Sequence, residues 1–204
     1  MASLWQRTAQ DLLQAAASGA PTPGGGSTAA LTAAFGAALL EMALQITLKK
    51  NGEDAQEVLR PVLQTLTRLR ERLQALADED VRAFQGYVQA TRLPEGRERE
   101  EALSGAGQAA MQVPLHLART TVEALDLARQ IAPQVHPEVT SDVGAGAAIL
   151  EGALHAALLT VEINLPHVPQ EEQAALKAER DGLEAEGARL AAETLRLTRE
   201  RLPG

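Results

Sequence analysis

The chain has 204 residues, 27 acidic against 19 basic side chains, a formal charge of −8 and no cysteine. The absence of a basic stripe and the presence of only four aromatic rings (Trp5, Phe35, Phe84, Tyr87) exclude nucleic acid as a partner. Disulfides, thiolate catalysis and cysteine-ligated zinc are excluded with the cysteines.

This length suits one large domain that buries roughly 70% of its unfolded surface, and residues 1–204 are read as that single domain. The opening MASLWQRTAQD meets Arg7 and Asp11 before any apolar run, which is unlike a signal peptide, so a cytoplasmic location is expected. No stretch alternates like a strand, whereas apolar residues recur at helical spacing throughout. The expected fold is all-α, a bundle of about six helices.

A first helix is expected over Ser3 to Ser18, with Leu4, Trp5, Leu12 and Leu13 on its apolar side. Ser18-Gly19-Ala20-Pro21 closes it. The loop Pro21-Thr22-Pro23-Gly24-Gly25-Gly26 follows, with Ser27 placed to N-cap a second helix that ends near Asn51-Gly52. From Ser27 to Leu48 this segment carries one charge, Glu41. Its apolar content is largely Ala, which gains little from lipid, so a buried core helix is expected and no membrane span.

The third helix is expected over Glu53 to Thr91, with Leu63, Leu66, Leu69, Leu73 and Leu76 facing a core and a kink at Pro61. Leu93-Pro94-Glu95-Gly96 interrupts the pattern. A fourth helix spans Arg97 to Ile131 with a kink at Pro114. A fifth, Ser141 to Leu165, starts from a Ser cap, and a sixth runs from Gln170 to Arg201. The second and fifth helices are apolar almost all round and rich in Ala and Gly. One bundle of this size encloses about one such helix, so a homodimer is expected to cover the other.

Four places could carry chemistry. Gly24, Gly25 and Gly26 incur an entropic penalty that close approach of a ligand to their N–H groups would justify; a flexible connector is the plain alternative. No Gly-Lys-Ser/Thr follows, so this is not a P-loop, and a helix precedes it where a dinucleotide fingerprint needs a strand. Asp142, at the start of the fifth helix, either complements the helix dipole or grips a ring with paired N–H donors. Asp78-Glu79-Asp80 reads as a solvated acidic face. Lys49 and Lys50 either cap the second helix or hold a substrate carboxylate. His116, His136 and His167 show no metal-ligand spacing, and no metal is expected. Glu151 and His155, one turn apart, form a candidate contact pair.

The chain resembles the formiminotetrahydrofolate cyclodeaminase and methenyltetrahydrofolate cyclohydrolase family, which includes the carboxy-terminal domain of formiminotransferase-cyclodeaminase. The resemblance rests on Ala20-Pro21-Thr22-Pro23-Gly24-Gly25-Gly26-Ser27 followed by Gly36-Ala37-Ala38-Leu39. It continues in Asp80-Val81-Arg82-Ala83-Phe84, Val113-Pro114-Leu115, Ser141-Asp142-Val143 and Val161-Glu162-Ile163-Asn164-Leu165. Together these run in order from the first helix to about Pro169. Thr160 departs from the pattern, standing where relatives carry Asn.

The resemblance implies an all-α dimer acting on a tetrahydrofolate derivative, with no cofactor beyond that substrate. A separate formiminotransferase remains open as a partner. Cyclodeaminase activity, converting 5-formiminotetrahydrofolate to 5,10-methenyltetrahydrofolate and ammonia, is the first expectation. The alternatives are hydrolysis of the methenyl ring and a non-catalytic folate-binding helical dimer. For an acid–base role, which ring closure requires, Asp142 is the first candidate and Asp80 the second. Gly24, Gly25, Gly26 and Ser27 are the expected substrate-binding loop, Lys49 or Lys50 the expected carboxylate contact, and Asn164 a further polar contact.

Overall fold

The computed structural model describes residues 3–50 and 53–203, without the side chains of residues 53–55. The expected helix end at Asn51-Gly52 lies outside the described residues. Six helices follow in order: α1 (Ala9–Ala16), α2 (Gly25–Lys50), α3 (Glu53–Thr91), α4 (Arg97–Ile131), α5 (Thr140–Asn164) and α6 (Gln170–Arg201). Short 3₁₀ turns lie at Leu4–Gln6, Pro137–Val139 and Leu165–His167, and no strand occurs among the described residues.

The expected first helix is divided. Asp78 of α3 accepts hydrogen bonds from the Ser3 hydroxyl at 2.6 Å and the Leu4 N–H at 2.8 Å, and Leu4–Gln6 folds as a 3₁₀ turn. Thr8 and Asp11 then form a capping box that restarts the chain as α1. Leu4 is buried, but Leu13 stays 72% exposed, so α1 covers less core than its apolar spacing implies.

α2 packs against α3 and α5 and is buried over most of its length. Its contact with α5 is close at one point. A Cβ on Gly36 would stand 3.0 Å from the Gly146 carbonyl oxygen, and one on Gly146 2.9 Å from that of Gly36. Only glycine lets the two backbones approach this far. Glu41, the lone acidic residue of α2, is answered by Arg70 of α3 at 2.7 Å. Arg70 also donates to Gln74, whose carbonyl accepts from Trp5 Nε1, so one polar chain ties the amino terminus, α2 and α3 together.

Leu66, Leu73 and Leu76 of α3 are fully buried, as their spacing predicts. Pro61 and Pro114 are accommodated within continuous helices. Gly96, at a φ of 148°, turns the chain from α3 into α4. Ser141 does not cap α5. The turn Pro137–Val139 leads directly into the helix, and Val139 holds the cap position without a side-chain bond.

α2 and the Pro137–His167 segment are each long and apolar enough to cross a membrane by length and composition. Only 56% and 50% of their most apolar stretches are buried within the bundle. In the remainder, Phe35 and Met42 of α2 and Leu159 and Ile163 of α5 stand exposed.

Candidate functional site

Four helices meet around a cleft of about 410 Å³: the start of α2, the carboxy-terminal third of α3, the amino-terminal half of α4 and the end of α5. That volume lies within the roughly 300–1,000 Å³ typical of small-molecule sites. The loop before α2 and that helix's first turn form one wall, through Pro21, Thr22 and Gly24 to Gly26, with a cis peptide between Thr22 and Pro23.

Asp80 is the charged group of this cleft. On α3, Asp80, Ala83, Phe84 and Tyr87 follow helical spacing, which turns all four toward the cavity. The carboxylate lies directly over the first turn of α2. A Cβ on Gly26 would be only 2.2 Å from Asp80 Oδ1 and 2.8 Å from its Cγ. The third glycine is thus required by an approaching side chain of the protein itself. Burial pushes the Asp80 carboxyl above its ordinary range, and hydrogen bonds from the Ser27 hydroxyl and N–H pull it only part of the way back. The three consecutive acids therefore separate. Asp78 holds the amino terminus, Glu79 pairs with Arg72 at 2.5 Å, and Asp80 enters the cleft.

Ser27 is not the N-cap of α2. The helix already begins at Gly25, and Ser27 is fully buried with its Oγ accepting from Gly24 N–H at 3.0 Å. It is the back-reaching third residue of a capping arrangement, supporting the loop and Asp80 from below. Gly24, Gly25 and Gly26 line the cleft as expected of a binding loop. So does Asn164, whose Nδ2 donates to the Ala110 carbonyl at 2.8 Å and fixes the end of α5 to α4. Thr160 lines the same wall, its hydroxyl donating to the Ala156 carbonyl at 3.1 Å.

Other candidates lie elsewhere. Asp142, half-buried in the first turn of α5, is about 27 Å along that helix from Thr160 at about 1.5 Å per residue. By the same measure Lys49 and Lys50 are about 35 Å from Gly26, and Lys50 is paired with Glu138. Within one chain neither lysine reaches the cleft. His155 faces Glu184 of α6 at 3.7 Å, not Glu151 as its spacing suggested. Among the described residues no cluster of three or more His, Asp and Glu side chains is arranged to hold a metal.

Among the lining residues not predicted from the sequence are three with aromatic or titratable side chains: Phe84, Tyr87 and His167. The aromatic pair could have been found by placing Asp80 on the helical wheel. His167 could not, because its turn is brought to the cleft only by the packing of α5 on α4.

The chain matches known proteins in sequence and in fold. The family profile described as formiminotransferase-cyclodeaminase matches residues 8–181. The chain is 35% identical over 163 residues to the methenyltetrahydrofolate cyclohydrolase of Methylorubrum extorquens, covering 77% of this chain and 78% of that protein. It is 34% identical over 156 residues to the formimidoyltransferase-cyclodeaminase of Gallus gallus, covering 74% of this chain but 29% of that longer protein. The fold superimposes on the crystal structure of formiminotetrahydrofolate cyclodeaminase from Thermotoga maritima with a TM-score of 0.87. That match has 22% identity and covers 97% and 98% of the two chains.

Proposed function

Because the chain belongs to the formiminotransferase-cyclodeaminase family, we propose that it is a folate enzyme acting at the carbon that bridges N5 and N10 of tetrahydrofolate. The observation that carries this is Asp80, a shielded carboxyl of raised pKa in a cleft walled largely by glycine, apolar and aromatic side chains, with Thr160, Asn164 and His167 at the α5 end. Such a group exchanges protons closer to neutral pH than an exposed carboxylate does. Phe84 and Tyr87 offer aromatic faces to a flat ring.

The leading reaction is cyclodeamination. N10 attacks the formimino carbon, the C–N10 bond forms, and Asp80 receives the N10 proton. The formimino nitrogen gains a proton, its C–N bond breaks, ammonia leaves, and the methenyl ring is closed. The glycine loop supplies main-chain N–H groups to the pterin carbonyl or the developing charge. Hydrolysis is the second reading, favoured by the cyclohydrolase relative of matching length. There water adds to the same carbon and gives one proton to Asp80; the remaining hydroxyl proton is then exchanged for one on the departing ring nitrogen as its C–N bond breaks and the formyl carbonyl forms.

Incubation with 5-formiminotetrahydrofolate is expected to yield the methenyl chromophore and ammonia in equal amounts. Ring opening of 5,10-methenyltetrahydrofolate without action on the formimino compound would select the hydrolase. Binding of either without turnover would reduce the protein to a folate carrier.

The same reading includes a homodimer. The half-exposed face of α2 and α5 carries both projecting residues (Phe35, Leu159) and a groove of small ones (Thr28, Thr32, Gly152, Ala156), as a self-complementary interface requires. Sedimentation is expected to show a dimer that Phe35→Glu converts to a monomer. A monomeric wild-type protein would refute this assembly.

A further inference from the structure

Resting on the folate reading above, we propose that His167 is a second catalytic residue, the acid that protonates the departing nitrogen while Asp80 receives the N10 proton. Two proton transfers are needed in ring closure, and they occur at different nitrogens of the tetrahedral intermediate. Among the residues lining the cleft, the titratable ones are Asp80, Tyr87 and His167. A phenol, with an ordinary pKa near 10, is a weak donor at neutral pH, whereas imidazole near 6.5 is well matched.

The turn holding His167 is fixed although its side chain is exposed. Before it, Asn164 is tied to the Ala110 carbonyl. After it, Val168 is buried against Met111, Leu115 and Val161, and its carbonyl accepts from Gln173 at 3.0 Å. Gly107 of α4 backs the His167 carbonyl, since a Cβ there would lie 3.7 Å away. The result is an imidazole with no hydrogen-bond or ion-pair partner among the described residues, carried on an anchored backbone at the rim of the cleft.

His167 follows the carboxy-terminal end of α5. Asp80 and Tyr87 of α3 share the cleft with it, and α4 contributes only uncharged Gly107, Ala110 and Val113. Glu171 and Glu172 stand in the first turn of α6, while Glu162 of α5 is taken by Arg180 at 2.8 Å.

The protons balance. The substrate enters as the protonated formimino cation with a neutral N10–H. Asp80 takes the proton from N10 as the C–N10 bond forms, and His167 gives one to the amino nitrogen. The C–N bond to that nitrogen then breaks, releasing neutral ammonia and the methenyl cation. Proton exchange through solvent returns Asp80 to carboxylate and His167 to imidazolium.

The test is steady-state kinetics of wild type, His167→Gln and His167→Ala across pH. For wild type kcat/KM is expected to fall as pH drops, when Asp80 gains a proton, and as pH rises, when His167 loses one. In both variants kcat is expected to drop about 10²-fold or more, with KM nearly unchanged. The alkaline fall should disappear, and added imidazole should partly restore His167→Ala. An unchanged kcat and pH profile would overturn the proposal, leaving Asp80 as sole proton carrier. So would a rise in KM alone, which marks a clamp for the substrate's carboxylates. A wild-type protein inert toward both folates would remove the folate reading itself, and this assignment with it.

Discussion

Asp80→Asn is expected to lose about 10²–10⁴-fold in kcat while folding as well as the wild type at neutral pH. Both halves follow from its placement. The carboxyl sits among apolar and glycine walls that penalise its charge, so its folded pKa is raised. A raised carboxyl contributes stability that is fully present below its unfolded pKa and is lost as pH climbs through its folded pKa. Above that window wild-type Asp80 is a net burden on folding. Asn removes the charge and keeps one oxygen to accept from Ser27. The variant's stability relative to wild type is therefore expected to improve as pH rises from the ordinary carboxylate range toward neutrality. Urea unfolding at several pH values, beside turnover, reads both effects. The opposite pattern, intact turnover with a lower unfolding midpoint, would make Asp80 only an interhelical cap for the positive end of α2.

The contrast between Asp80 and Asp142 shows how much of this site was legible in the sequence. Helix boundaries were readable because periodicity and breakers are local: Thr91, Gly96 and Ile131 fall where Leu spacing and turn residues place them. The glycine run was legible as a place of close contact, but the contact at Gly26 is with Asp80 of the protein itself, and Gly25 and Gly26 already belong to α2. Ranking the carboxylates was not. Asp142, at the head of a helix among small residues, looked shielded, while Asp80 looked solvated among neighbouring acids. Which face of α3 meets the start of α2 is decided by long-range packing, which sends Asp78 to the amino terminus and Asp80 to α2 while Glu79 pairs with Arg72 on α3 itself. The first helix failed for the same reason: Asp78, distant in sequence, recruits Ser3 and Leu4 and ends the turn early.

Gly26→Ala is expected to reproduce most of the Asp80→Asn defect without touching the carboxyl's chemistry. An alanine methyl at this position would occupy space 2.2 Å from Asp80 Oδ1. Backbone cannot yield easily there, because Gly24 N–H is held by Ser27 Oγ and Thr28 N–H by the Gly24 carbonyl at 3.0 Å. The carboxylate can yield, since it ends a side chain with two rotatable bonds. It is therefore expected to swing away from Ser27 and out of alignment with the reacting nitrogens. The fold should survive with a loss of about 1–3 kcal/mol, the usual penalty for overpacking, partly offset by the better helix propensity of Ala. Turnover should fall about 10²-fold or more, because misplaced acid–base groups lose most of their contribution. A double-mutant cycle isolates the mechanism. If both changes act through one carboxylate, Gly26→Ala should add almost nothing to kcat in the Asp80→Asn background. Independent, multiplicative losses would mean instead that the methyl obstructs the substrate directly. The glycine's purpose would then be the ligand's approach to the main chain, with the fit of Asp80 incidental.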